Sequence, residues 1–208
     1  MNARRIRAWR RVAFILLAAT VAHAQPVTKD TASAEVDAAR AHIERLAQTM
    51  NAPRSKPEEQ EAATVAWFEA RLRLADVLGA RRGRAAIARM TLTIETDDEC
   101  AALAKWMGEA GAELDAADTD LTKRIQRADA SQQVTLVPKL ERVRLQLRWQ
   151  RAHAKHWLAR ATTSAPERKR LLDLAIADLD PLLSAAPAGP NQRRLQLLKA
   201  SCLRGKGQ

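Results

Sequence analysis

His153 and His156 stand three residues apart, a spacing that puts both imidazoles on one face of a helix. Such a pair could ligate a metal if His42 or an acid supplied a third donor. Arg151, Lys155 and Arg160 surround it and would repel a cation, so the histidines read as surface or interface residues and no metal is expected. For nucleophilic catalysis a Ser or Cys should occupy a strained, Gly-flanked turn. Ser33, Ser55, Ser131, Ser164 and Ser184 read instead as caps, loop residues or helix ends. The Gly79–Arg84 run (GARRGR) lacks the spacing of a phosphate-binding loop and reads as a basic turn between helices. Cys-x-x-Cys-His is absent, which excludes covalent haem of the usual exported kind, and no cofactor is expected.

Charge is segregated along the chain. From Glu95 to Asp120 nine acids meet one base, Lys105, so one minus nine gives −8. Between Pro138 and Arg170 ten bases meet two acids, Glu141 and Glu167, for +8. Two readings follow. The fourth and fifth helices are antiparallel neighbours whose flanks attract one another, each exposed pair contributing about 0 to 1 kcal/mol. Alternatively, Arg144, Arg148, Arg151 and Lys155, with Trp149 and Trp157, form an interaction face for an acidic protein or an anionic envelope polymer. Self-pairing is preferred because the helices are consecutive. Trp67, Trp106, Trp149 and Trp157 read as core residues unless clustered at the surface, where they would mark a binding site.

The elements that must position these residues are helices. The chain has 208 residues, 47% hydrophobic and 28% charged, with no Tyr and only 3% aromatics, a composition too apolar for disorder and poor in strand formers. Of its formal charge of +11, five arginines lie in residues 1–24, where no acid occurs, leaving 30 minus 24, or +6, for the rest. That start has a basic region to Arg11, an apolar run Val12–Ala22 and the small residues of Ala22-His23-Ala24. It reads as a Sec-type signal peptide, cleaved after Ala24, ahead of a single helical domain over residues 25–208. The eleven-residue run is too short to span a bilayer. No later run reaches 18 apolar residues, so no transmembrane span is expected after cleavage. Export to the periplasm or the extracellular space argues against a nucleic-acid partner.

Seven helices are predicted. Val36, Ala39, Ile43, Leu46 and Met50 mark the first. Ser55-Lys56-Pro57-Glu58 reads as a capping box opening the second, which runs to Gly79 with a wide apolar arc and a central position. A short third covers Ala85–Ile94. Leu103, Met107, Ala110, Leu114, Ala117, Leu121 and Ile125 define a long fourth, with acids at its start and bases at its end. Pro138 suits the first turn of a fifth, Ser164-Ala165-Pro166-Glu167 caps a sixth carrying a kink at Pro181, and Leu195, Leu198 and Cys202 mark the last. The predicted class is all-α, antiparallel helical hairpins forming a bundle or a short solenoid, with helix well above about 60% of the mature chain against one-third typically.

Within the sixth helix Ala175, Leu179, Leu182 and Pro187 have a spacing that resembles the second helix of a tetratricopeptide repeat. Leu195, Leu198 and Cys202 follow with the spacing of a next first helix, while Ala159, Thr162, Thr163 and Pro166 stand where the preceding first helix should carry its aromatic signature. The resemblance covers the C-terminal part alone. It implies a stacked-hairpin scaffold that binds partner proteins. The functional expectation is an exported, non-catalytic helical interaction protein of the periplasm or cell envelope. A small exported all-helical enzyme acting on an anionic substrate through Arg side chains is the alternative. Cys100 and Cys202, both on apolar stripes, could pair in a disulfide or remain separate core thiols.

Overall fold

In a computed structural model of the chain, residues 29–52, 56–92, 97–186 and 188–207 are described. Residues 1–24, read above as a signal peptide, and the Ser55 cap lie outside them. Seven α-helices follow in order: α1 Lys29–Met50, α2 Pro57–Asp76, α3 Arg82–Leu92, α4 Asp97–Ala130, α5 Leu136–Ala161, α6 Ala165–Ala185 and α7 Pro190–Gly205. They make the protein all-α, with 90% of the described residues helical and no strand among them. No helix there is long and apolar enough to cross a membrane. A compact unit begins within α1, at Glu35, and includes every later helix.

Local chemistry sets the helix ends. At the start of α2, Pro57 occupies the first turn and the Glu59 carboxylate accepts the Lys56 N–H at 3.4 Å. Ser164 caps α6 as expected, its hydroxyl accepting the Glu167 N–H at 3.5 Å. The Glu167 carboxylate does not complete the box, because it accepts two hydrogen bonds from Arg170, at 2.7 and 2.6 Å. After α4 the chain reverses through Gln132, whose φ of 54° is left-handed. The Gln133 N–H donates to the Ala128 carbonyl and the Gln132 N–H to that of Asp129, the double bond pattern that stops a helix and turns α5 back along α4.

The Gly79–Arg84 stretch departs from expectation. It is no turn: a π-helical segment, Val77–Arg81, joins α2 directly to α3, which begins at Arg82 rather than Ala85. Both glycines serve close packing. A Cβ at Gly79 would lie 2.8 Å from the Cβ of Ala110, and one at Gly83 would lie 2.8 Å from Cδ1 of Leu103. Helix α4 therefore passes almost backbone to backbone with the π segment, and the extra residue of the π turn is accommodated on that face.

Helices α2 and α3 both pack on α4, then α4 on α5, α5 on α6 and α6 on α7, while α2 and α7 also touch α5. Two hydrophobic cores result. One gathers Val36, Phe68, Leu72 and Leu78 with the whole predicted stripe of α4 and with Leu136, Leu140, Val143 and Leu147 of α5. The other unites Leu171, Leu172, Ala175, Leu179 and Leu182 of α6 with Leu195 and Cys202 of α7 and Ala152 and Ala159 of α5. The central helix is thus α5, not α2, since it alone contributes buried residues to both. This division also answers the cysteine question: Cys100 packs against the first core, Cys202 lies in the second, and no disulfide joins them. Their helices α4 and α7 are held apart by α5 and α6. Burial pushes the Cys202 thiol up to about 11.

Candidate binding groove and basic pocket

The acidic stripe of α4 is consumed internally. Arg71 of α2, only 7% exposed, donates from Nε to Glu113 and from Nη1 to Asp120, both at 2.6 Å, and lies 4.8 Å over the Trp67 ring. Arg82 donates to Glu109 at 3.3 Å. From the other side Arg151 of α5 donates to Asp118 at 2.6 Å and grips Asp178 of α6 with two nitrogens. Lys155 reaches Asp178 at 3.2 Å and Asp115 at 3.6 Å. Asp178 is 4% exposed, so this cluster joins α4, α5 and α6 around one buried carboxylate, with Asp115 and Asp118 toward its edge. Burial opposes the charge on Arg151, but the hydrogen bond and attraction of Asp178, followed by those of Asp118, outweigh it and raise the guanidinium above its ordinary range.

These pairs decide how the expected interaction face is arranged. Arg151 and Lys155 point into the fold, and Arg144 is held by Glu141 at 2.9 Å and by the Thr122 hydroxyl of α4 at 3.3 Å. Trp157 is 8% exposed and belongs to the first core, its Nε1–H donating to His153 Nε2 at 3.1 Å. Only Arg148 and Trp149 of the six remain half-buried without an ion pair to α4. The basic face is therefore not a continuous surface, because the helix rotation that buries Leu140, Val143 and Leu147 turns its lower half toward α4 and α6. Sequence reasoning placed self-pairing between α4 and α5 but missed the share taken by Arg71 and Arg82, which lie outside the basic run.

Trp149 opens instead onto a groove of about 730 Å³ between α2, α5 and α7. Leu72, Leu145, Leu182 and Leu195 line it with the indole, and Glu69, Arg73, Asp76 and Arg194 bring charges of both signs. Three amides, Gln146, Gln150 and Asn191, complete the wall. Past Asp76, Trp149 and Gln150 the groove meets a second hollow of about 210 Å³, lined by Met107, Ala110, Leu114 and His153. Gln150 Oε1 is buried there with no hydrogen-bond partner. The His153 imidazole is lowered by burial, with Asp76 working against the shift, and its Nε2 accepts from Trp157, so it serves as a neutral ring rather than a cation.

On the other side of α5 a third hollow, of about 380 Å³, is lined by His156, Arg160, Arg168, Ser201 and Arg204 with Ala159, Leu172 and Gly205. His156 Nε2 is 2.9 Å from Ser201 Oγ, a pair that sequence reasoning missed because Ser201 lies in no motif and is 45 residues away. Burial, followed by repulsion from His153 and Arg160, pushes the imidazole down to about 4. Its Nδ1 is buried with no partner. A base this weak, with no carboxylate to orient it, is poorly suited to activating the hydroxyl. The two histidines of the metal spacing thus point to separate hollows, and no group of three metal-binding side chains forms among the described residues.

No protein-family model matches the chain, and neither a curated protein nor a solved structure is significantly similar to it.

Proposed function

We propose that the protein is an exported, non-catalytic helical docking protein of the periplasm or cell envelope whose groove between α2, α5 and α7 takes an extended segment of a partner protein. Export rests on the basic start, the eleven-residue apolar run and Ala22-His23-Ala24. The observation that carries the binding reading is the wall of that groove, where Trp149 and four leucines, Leu72, Leu145, Leu182 and Leu195, stand beside three amides. The Gln146 and Asn191 amides can both donate and accept, which matches a peptide backbone. Trp149 and the four leucines provide room for one or two apolar side chains, and the mixed charges of the rim suit a peptide better than a polymer of one sign. The tetratricopeptide-like spacing of α6 and α7 accords with such a scaffold.

Selection from a display library of random peptides tests the groove. Selected peptides should lose at least about tenfold in affinity against Trp149→Ala, equivalent to about 1.4 kcal/mol. Peptides that bind Trp149→Ala as tightly as the original protein would refute the reading. Mass spectrometry of native protein should find Gln25 at its N-terminus.

A further inference from the structure

We infer that the inner hollow between α2, α4 and α5 is a specificity pocket for a phenol ring, the tyrosine side chain of the segment docked in the groove around Trp149. The inference rests on that docking reading. The hollow exists because small side chains meet where the helices converge: Ala75 of α2, Ala80 of the π segment, Ala110 of α4 and Ala154 of α5 line it and leave about 210 Å³. A dry apolar cavity of about 150 Å³ is enough for benzene, so this space suits a six-membered ring with a substituent. Met107 and Leu114 add apolar surface from α4, and the Trp149 indole adds a partner for aromatic packing. Asp76, Trp149 and Gln150 line both spaces, so a side chain enters the hollow directly from the groove.

Two polar groups in the lining match a hydroxyl. His153 Nε2 accepts the Trp157 Nε1–H at 3.1 Å, and burial keeps the ring neutral, so its proton resides on Nδ1. That N–H has no acceptor among the described residues. The imidazole is fixed between Trp149 and Trp157, whose ring centroids lie 6.1 and 6.2 Å away. Asp76 accepts from Arg81 through Oδ2 at 3.2 Å, and its Oδ1 takes no donor among the described residues. A phenol oxygen accepts from His153 Nδ1–H and donates its own proton to Asp76 Oδ1. Other side chains answer the lining less fully. Phenylalanine fills the space but leaves both polar groups without a partner, and serine or threonine leaves most of the space empty. Lysine or arginine would lose hydration in an apolar hollow beside a carboxylate already shared with Arg81. The chain itself contains no tyrosine, so the ring comes from a partner and not from a second copy.

Titration of the purified protein with N-acetyltyrosine amide and N-acetylphenylalanine amide, followed by NMR, tests the pocket. The tyrosine amide should bind at one site with a Kd of about 1 mM, at least about fivefold tighter than the phenylalanine amide. Asp76→Leu and His153→Phe, each close in volume to the original, should bring the two affinities together, a change that altered packing alone would not produce. Ala80→Leu, which fills the hollow, should weaken both amides. The fold of each variant is checked by its circular dichroism. Peptides selected on the groove should carry tyrosine, and its replacement by phenylalanine should cost at least about tenfold in affinity. Equal affinity for the two amides, absence of saturable binding up to roughly 20 mM, or an unchanged preference in both polar variants would overturn the inference. Selected peptides that depend on Trp149 but carry no tyrosine would also overturn it while leaving the docking reading in place. Preferential binding of the tyrosine amide without any Trp149-dependent peptide would instead defeat the docking reading, and with it the assignment of the ring to a partner protein.

Discussion

Arg71 and Arg151, and by contrast Arg168 and Arg204, are the same chemical group in different situations. The first two are turned into helix junctions and each bridges two acids, Glu113 and Asp120 for Arg71, Asp118 and Asp178 for Arg151. The other two are exposed and line a hollow beside α5. Local composition does not separate them, since Arg151, Arg160 and Arg168 all belong to one basic run. What separates them is the helix each faces. Toward the acidic α4 an arginine becomes part of the fold, whereas Arg168 of α6 and Arg204 of α7 stay exposed.

The largest effect should come from breaking the paired cluster around Asp178. Asp178→Ala leaves Arg151 and Lys155 buried without their shared partner and should cost about 3 to 5 kcal/mol in urea denaturation. A loss below about 1 kcal/mol would mean that the junction is wet and the contrast overstated.

On the open side, the His156 imidazole gives a pH signature. Its folded value, about 4, lies below the unfolded 6.5, so the unfolded chain takes up a proton first as pH falls. The associated stability is fully present above pH 6.5 and is lost progressively between 6.5 and about 4. The loss should be on the order of 3 kcal/mol, and a flatter acid limb in His156→Gln would assign it. Equal slopes in the two proteins would remove His156 as the source.

A smaller effect concerns the helix contact that keeps Arg71 and Arg82 in register with α4. Gly79→Ala forces its Cβ to 2.8 Å from Ala110, a collision of two short side chains that cannot rotate away. Overpacking should outweigh the gain in helix propensity, with a net loss of about 1 to 2 kcal/mol. Gly111→Ala meets nothing within 4 Å on α4 and should raise stability by about 0.5 to 1 kcal/mol. Paired thermal melts check both signs.

The smallest effect is expected at the exposed arginines of α6 and α7. Arg168→Gln with Arg204→Gln should change unfolding free energy by no more than about 0.5 kcal/mol, because both side chains are exposed and neither neutralises a buried acid. A loss as large as that of Asp178→Ala would make these arginines structural and erase the contrast.

Much of the fold is carried by periodicity within single helices. The stripe from Leu103 to Ile125 is buried at every position, and Leu195 and Cys202 face the second core as their spacing requires. Ser164 and Pro57 mark helix starts by chemistry that acts within one turn. These features are local, since a stripe recurring every 3.6 residues fixes which face of a helix is apolar whatever lies opposite.

Which face meets which neighbour is decided by packing. Gly79 and Gly83 read in sequence as a break, yet the nearness of Ala110 and Leu103 makes them the closest points of two helices. Arg151 and Arg160 are alike in the sequence, but nine residues are two and a half helical turns and bring them to opposite sides of α5. One side meets Asp118 and Asp178, the other meets Ser201 across the chain reversal after α6. The sequence by itself determined the helices, their apolar faces and the segregation of charge. Only the tertiary structure decided that α5 divides two cores and which acids Arg71 and Arg151 bridge. Helix rotation and crossing depend on many side chains fitting at once, and no single stretch of sequence contains that information.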